Sequence, residues 1–206
     1  MTIKQIKVGF DNFSYIIYCK RTNKASIVDP GYNPSKLLEF LSSNNLKLEY
    51  IIATHYHSDH TSGIQKIKNS ISSSKIVASE LDGPKLDVKV DIKVTDNNRL
   101  KIGDIDLVFI LTPGHTPGSI CIIVNNEALL TGDALFIGDC GRTDLPGGDL
   151  VQMFRSLQDK IMQLPAHLVV YPGHDYGDKP FDTLGNQKST NKTLLAKNLD
   201  DFSKIP

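Results

Sequence analysis

The chain has no tryptophan, only three cysteines and no surplus of charge of either sign. Cys19, Cys121 and Cys140 are odd in number and far apart, which argues against a disulfide framework and fits a reducing, cytoplasmic setting. Lys and Arg number 23 and Asp and Glu number 23, so the formal net charge is zero. A non-specific nucleic-acid binder needs surplus cations to displace counterions, so no nucleic acid is expected as a partner. No apolar run approaches the roughly 20 residues that cross a bilayer. The opening residues, MTIKQIKVGF, lack the apolar stretch of an export signal. No membrane is expected either. No period of roughly 20 to 50 residues repeats, and no low-complexity linker divides the chain. What is present is ordinary for a globular protein: 206 residues, 40% hydrophobic and 22% charged. That length predicts a single domain over 1–206.

Short apolar, β-branched runs predict strands over 3–8, 14–19 and 25–28, closed by the turn residues Asp29-Pro30-Gly31. Asn33 before Pro34 reads as a helix cap and first position, and Leu37, Leu38 and Leu41 carry a helix to about 44. YIIAT at 50–54 reads as a buried strand that runs straight into THYHSDH. Further strands are predicted over 75–78, 91–94, 106–111, 120–124 and 128–130, with Asn125-Asn126 as a hairpin turn between the last two. Asp149 is placed to cap a helix over 149–164, with Leu150, Met153, Phe154, Leu157 and Ile161 on one face. A strand over 168–171 follows, and the tail from Gln187 reads as helical. Two strand series, each closed by helices, predict an α/β architecture of two face-to-face sheets with helices outside.

Five of the six histidines lie in polar or glycine-rich segments directly after apolar runs. His55, His57 and His60 share one heptapeptide with Asp59. His115 follows Thr112-Pro113-Gly114, Asp133 follows Thr131-Gly132, and His174 follows Pro172-Gly173. Strand ends that enter glycine turns present side chains to a cleft. Four ionisable groups within six residues would repel one another and lose hydration unless a cation joined them. Imidazole with carboxylate suits zinc, iron or manganese better than calcium or magnesium. His167 has no such setting and reads as a surface residue.

THYHSDH, TPGHTPGS, TGD and YPGHDYG, in this order, resemble the metal-binding motifs of the metallo-β-lactamase-fold superfamily. The resemblance runs from about Asn12 to Asn191 and implies a four-layer αββα sandwich with the site at one edge. It implies two divalent metal ions, zinc foremost, with His55, His57 and His115 on one, Asp59, His60 and His174 on the other, and Asp133 between them. Within the superfamily the chain is similar to glyoxalase II, a hydroxyacylglutathione hydrolase. That likeness implies cleavage of an acyl-glutathione thioester by a metal-bound hydroxide, with Asp59 and Asp133 catalytic. Only 32 residues follow His174, too few for the helical glutathione-binding domain of the full-length glyoxalase II. The chain is also similar to persulfide dioxygenases, which would hold one ferrous ion through the positions of His55, His115 and Asp133. His57 stands where a flavodiiron centre has glutamate.

The same resemblance implies substrate contacts from Arg142 and Tyr176, and Lys188 is placed to meet a substrate carboxylate. Asp29 and Asp144 are expected to orient a ligand or loop, and Cys140 to act as an apolar filler. The expected partner is a small acyl-thiol, and the expected state a monomer or homodimer.

Overall fold

The computed structural model describes residues 1–205. Its first sheet holds β1 (Thr2–Lys7), β2 (Phe13–Tyr18), β3 (Lys24–Val28), β4 (Lys47–Ile52), β5 (Lys75–Ser79) and β6 (Ile92–Val94), side by side in chain order. β1 to β3 pair antiparallel and β3 to β6 parallel. The second sheet holds β7 (Arg99–Ile102), β8 (Ile105–Leu111), β9 (Ile120–Val124), β10 (Ala128–Gly132), β11 (Val169–Pro172) and β12 (Asp182–Thr183), again in chain order across the sheet. There only β10 and β11 pair parallel.

Alternation of side chains builds three cores. In β2, Phe13, Tyr15 and Ile17 face the second sheet and meet Phe109, Ile122 and Leu130 there. The intervening Ile16 points outward and packs with Leu37 and Leu41 of α1 (Pro34–Ser43) and Ile64 and Ile67 of α3 (Ile64–Ser70). β2 is therefore buried on both faces and reads as a continuous apolar run rather than an alternating one. On the far side of the second sheet, Ile110, Leu129 and Val170 pack under Met153, Leu157, Leu184 and Phe202. These come from α4 (Leu150–Arg155), the turns after it, α5 (Leu184–Thr190) and α7 (Leu199–Ser203). Helix, sheet, sheet and helix form the four layers predicted for the chain. Among the described residues no helix is long and apolar enough to cross a membrane.

The departures from expectation are local. Asn125 and Asn126 make the predicted hairpin turn, both at positive φ (50° and 53°). Asn33 precedes α1 but makes no side-chain cap, whereas Asp149 accepts the amide of Gln152 as expected. The helix predicted over 149–164 is α-helical only to Arg155; a π turn over Ser156–Lys160 and a 3-10 turn over Ile161–Gln163 follow. The wider turn keeps Leu157 and Ile161, four residues apart, both facing the sheet. β7 was not anticipated, because Arg99 and Lys101 interrupt its apolar pattern. Only Ile102 is fully buried there, and Leu100 packs partly buried against the core.

Candidate metal centre

The candidate donors reach one edge of the sandwich from both sheets. β4 ends at Ile52 and leads directly to His55. His57 is the extended residue before α2 (Ser58–Thr61), whose one turn carries Asp59 and buried His60. From the second sheet, the loop after β8 brings His115, the end of β10 brings Asp133, and the end of β11 brings His174. Backbone bonds fasten the two sheets here: Ile120 N–H donates to the Thr54 carbonyl at 2.9 Å and Phe13 N–H to the Gly173 carbonyl at 2.8 Å. The Tyr15 hydroxyl, buried and held protonated by that burial, donates to the Pro172 carbonyl at 2.5 Å. Gly173 has to be glycine, since a Cβ there would lie 2.3 Å from Asp133 Oδ1.

His57 Nδ1 lies 2.9 Å from His115 Nε2, and His60 Nε2 lies 3.2 Å from His174 Nε2. Asp133 touches both groups: Oδ2 is 3.5 Å from His115 Nε2 and 3.3 Å from His174 Nε2, and Oδ1 is 3.3 Å from His60 Nε2. Asp59 Oδ2 is 3.5 Å from His60 Nε2 and 3.4 Å from His174 Nε2. Three overlapping donor sets result: His55, His57 and His115; His55, His60 and Asp133; Asp59, His60 and His174.

These donors fit a cation. Among the described residues, His55 Nε2 and Asp133 Oδ1 are buried with no hydrogen-bond partner of good geometry, which costs on the order of 1–3 kcal/mol for each group unless something else satisfies it. A tetrahedral ion roughly 2.0–2.1 Å from each donor sets neighbouring donors roughly 3.3 Å apart. The contacts of 2.9 to 3.5 Å bracket that edge.

A second layer of contacts fixes the rings. Asp29, buried and at φ 52°, accepts the Thr54 amide at 2.8 Å and the Thr54 hydroxyl at 2.7 Å. Its Oδ2 also lies 3.0 Å from His60 Nδ1. These contacts set the direction of the His60 ring. His115 Nδ1 meets the Arg142 carbonyl at 2.7 Å, and His174 Nδ1 lies 3.3 Å from Asp11 Oδ1. Asn12 Nδ2 donates to Asp59 Oδ2 at 2.9 Å. Buried Asp82 accepts the Tyr56 and Gly118 amides and the Thr116 hydroxyl, tying the two histidine loops together. Asp11, Asn12, Asp82 and the Arg142 carbonyl were not foreseen. A polar pair directly before the apolar run FSYIIY was the one available sign of Asp11 and Asn12.

The electrostatics of the metal-free cluster are those of a site compensated by protons. Burial would lower the pKa of His174, but its bonds to Asp133 and Asp59 outweigh that and lift it to about 9. Burial also opposes charging of His60, yet the Asp133 and Asp29 carboxylates raise it well above the ordinary range. Asp133 is held far below the usual carboxylate range; burial alone would raise it, but the His60 charge and the His174 bond prevail. Burial and the neighbouring His60 charge keep His55 neutral. A cation must therefore displace protons. At pH 7, zinc added to metal-free protein is expected to release at least one proton per chain, read with an indicator dye in weak buffer. Apparent affinity should climb from pH 7 through about pH 9 as His174 loses its proton.

A cleft of about 790 Å³ opens over the donors. Arg142, Asp144 and Tyr176 line it. Arg142 does not face the cleft as an open cation: its Nε and Nη2 bind Asp144 in a bidentate pair, both at 2.6 Å. Asp144 thus fixes the direction of the Arg142 guanidinium. Tyr176 stacks on His174, with centroids 4.7 Å apart and planes at 8°. Lys188 is a correction: it does not line the cleft, and its ammonium donates to the Leu164 carbonyl at 2.5 Å. His167, exposed, lies with Nε2 2.8 Å from the Asn126 carbonyl. Cys140 lines the cleft, and burial pushes its thiol up to about 12, so it is no nucleophile at neutral pH.

Residues 8–174 match the family described as the Metallo-beta-lactamase superfamily. The mitochondrial persulfide dioxygenase ETHE1 of Homo sapiens is 29% identical over 195 residues, covering 94% of this chain and 75% of its own. A hydroxyacylglutathione hydrolase of Pelagibacter ubique is 34% identical over 209 residues, covering 98% and 83% respectively. Among solved structures, that of ETHE1 from Myxococcus xanthus is similar with a TM-score of 0.90 at 26% identity, over all of this chain and 92% of the other. A motif set carried by both sheets, a fold of two mixed sheets between helices and a match across most of the length agree: the chain belongs to the metallo-beta-lactamase superfamily.

Proposed function

We propose that this protein is a metal-dependent hydrolase of thioesters, working with two divalent ions, most simply zinc. The observation that supports the reading is the donor group of Asp59, His60 and His174 beside that of His55, His57 and His115, donors enough for two ions. His55, His57 and His115 would hold one ion and Asp59, His60 and His174 the other. Asp133, in reach of both groups, would join them. The hydroxyacylglutathione hydrolase among the relatives supports the bond class.

When bound, the ions supply an acidified water at neutral pH and a positive pole for the carbonyl oxygen. The chain supplies the rest. Asp29, Asp11 and the Arg142 carbonyl hold the imidazoles in orientation. Asp59 is partly open to the cleft, and its carboxylate, steadied at Oδ2 by the Asn12 amide, would relay a proton as well as hold the ion. A thiolate leaves readily, so no strong acid need protonate it. The Tyr176 phenol, pushed up to about 12 mainly by burial, stays an O–H donor beside the cleft.

The second reading, a persulfide dioxygenase with one ferrous ion, is favoured by the whole-chain likeness to ETHE1 from Myxococcus xanthus. Metal per chain measured by mass spectrometry separates the two, with thioester cleavage and oxygen uptake on a persulfide assayed side by side. About two ions per chain with thioester turnover is the expected result. One iron per chain with oxygen uptake and no thioester turnover overturns it.

A further inference from the structure

We propose that the substrate carries an aliphatic acyl chain and an uncharged thiol carrier, with the chain lying along the apolar wall of the cleft. For the bond at the metal end this rests on the thioester reading; for the arms it rests on the cleft itself. From the donors the cleft runs to a wall made by Phe136, Leu150, Phe202 and Ile205. Two of its rings are held by neighbours: Phe202 packs against Phe154 with ring centroids 5.5 Å apart, and Phe136 and Tyr176 meet nearly perpendicular at 5.0 Å. Its size, about 790 Å³, is that of a site for a whole small ligand rather than for a carbonyl alone.

The charges point the same way. Outside the donor cluster, each charged side chain of the cleft lies within 2.9 Å of an opposite charge: Arg142 with Asp144, and Asp139 with Lys192. A glutathione thioester brings two carboxylates and an ammonium. A carboxylate that took Arg142 would only exchange one anion for another and leave Asp144 beside it, repelling it. Lys188, the remaining cation foreseen for this role, is held at the Leu164 carbonyl outside the cleft. An uncharged arm meets no such opposition, and each buried methylene can tighten binding by up to about fourfold.

The test uses thioethers, which cannot be hydrolysed, titrated calorimetrically into the metal-loaded protein. S-hexyl-N-acetylcysteamine is expected to bind about 30-fold more tightly than its S-methyl counterpart, roughly twofold for each of five partly buried methylenes. S-hexylglutathione should bind no more tightly than S-hexyl-N-acetylcysteamine. Phe202→Ala, or Leu150→Ser at the exposed end of the wall, should cut the hexyl-to-methyl ratio at least threefold. A ratio below threefold in the unaltered protein overturns the proposal. So does a tenfold preference for S-hexylglutathione that Arg142→Gln abolishes. Failure of the thioester reading appears separately, as absent turnover of every thioester while the chain-length preference in binding persists.

Discussion

Asp133→Ala is expected to abolish bound metal and turnover together. The carboxylate contacts His60, His115 and His174 at once, at 3.3 to 3.5 Å. Its removal takes a donor from the shared middle of the site and the negative charge that offsets two cations. With the metals goes the acidified water, so turnover should fall by at least about 10³-fold. The metal-free protein offers a second readout. Asp133 is among the groups that lift His174 to about 9; in the variant the His174 proton should leave at lower pH, as followed by NMR. Asp133→Asn keeps an oxygen donor without the charge and is expected to bind metal weakly rather than not at all. An alanine variant with full metal content and unaltered turnover would remove Asp133 from the site.

Asp29→Ala should be the most damaging change among the side chains that touch no substrate. Three donors converge on this buried carboxylate: the Thr54 amide, the Thr54 hydroxyl and the His60 ring. Breaking one partner of a buried charged network costs on the order of 3–5 kcal/mol, and alanine is also strained at φ 52°. Asp29→Asn separates these contributions, because asparagine tolerates the left-handed backbone and fills nearly the same space. It loses the charge and turns one acceptor into a donor. Denaturant melts should show the asparagine variant less destabilised than alanine, while metal affinity falls in both by about 10- to 100-fold. Equal stability of Asp29→Ala and the parent protein would show that Asp29 does not hold this corner together.

The candidate donors were legible because the segments that carry them follow apolar runs, where residue type and place in the chain coincide. His55 after YIIAT and Asp133 after ALLTG are of this kind. What orients them was less visible. Asp11 lies 163 positions from His174, and the acceptor for His115 is the main-chain carbonyl of Arg142, which any residue there could supply. Lys188 was misplaced because a helical tail gives no register against the sheet, and one of its turns decides whether an ammonium meets the cleft or Leu164. Of the face predicted over 149–164, Met153, Leu157 and Ile161 are buried, Phe154 is half-buried and Leu150, in the first turn, is exposed. The π turn stayed hidden because spacings of four suit either helix.

Because the candidate donors come from both sheets, any ion they hold is a rivet through the middle of the molecule. His55, His57, Asp59 and His60 belong to one half and His115, Asp133 and His174 to the other, so separating the halves requires the ion to let go of one set. Free ion at about a thousandfold above its dissociation constant adds roughly 4 kcal/mol against unfolding. The survival time of this chain in the presence of proteases then becomes a gauge of how much metal its surroundings supply.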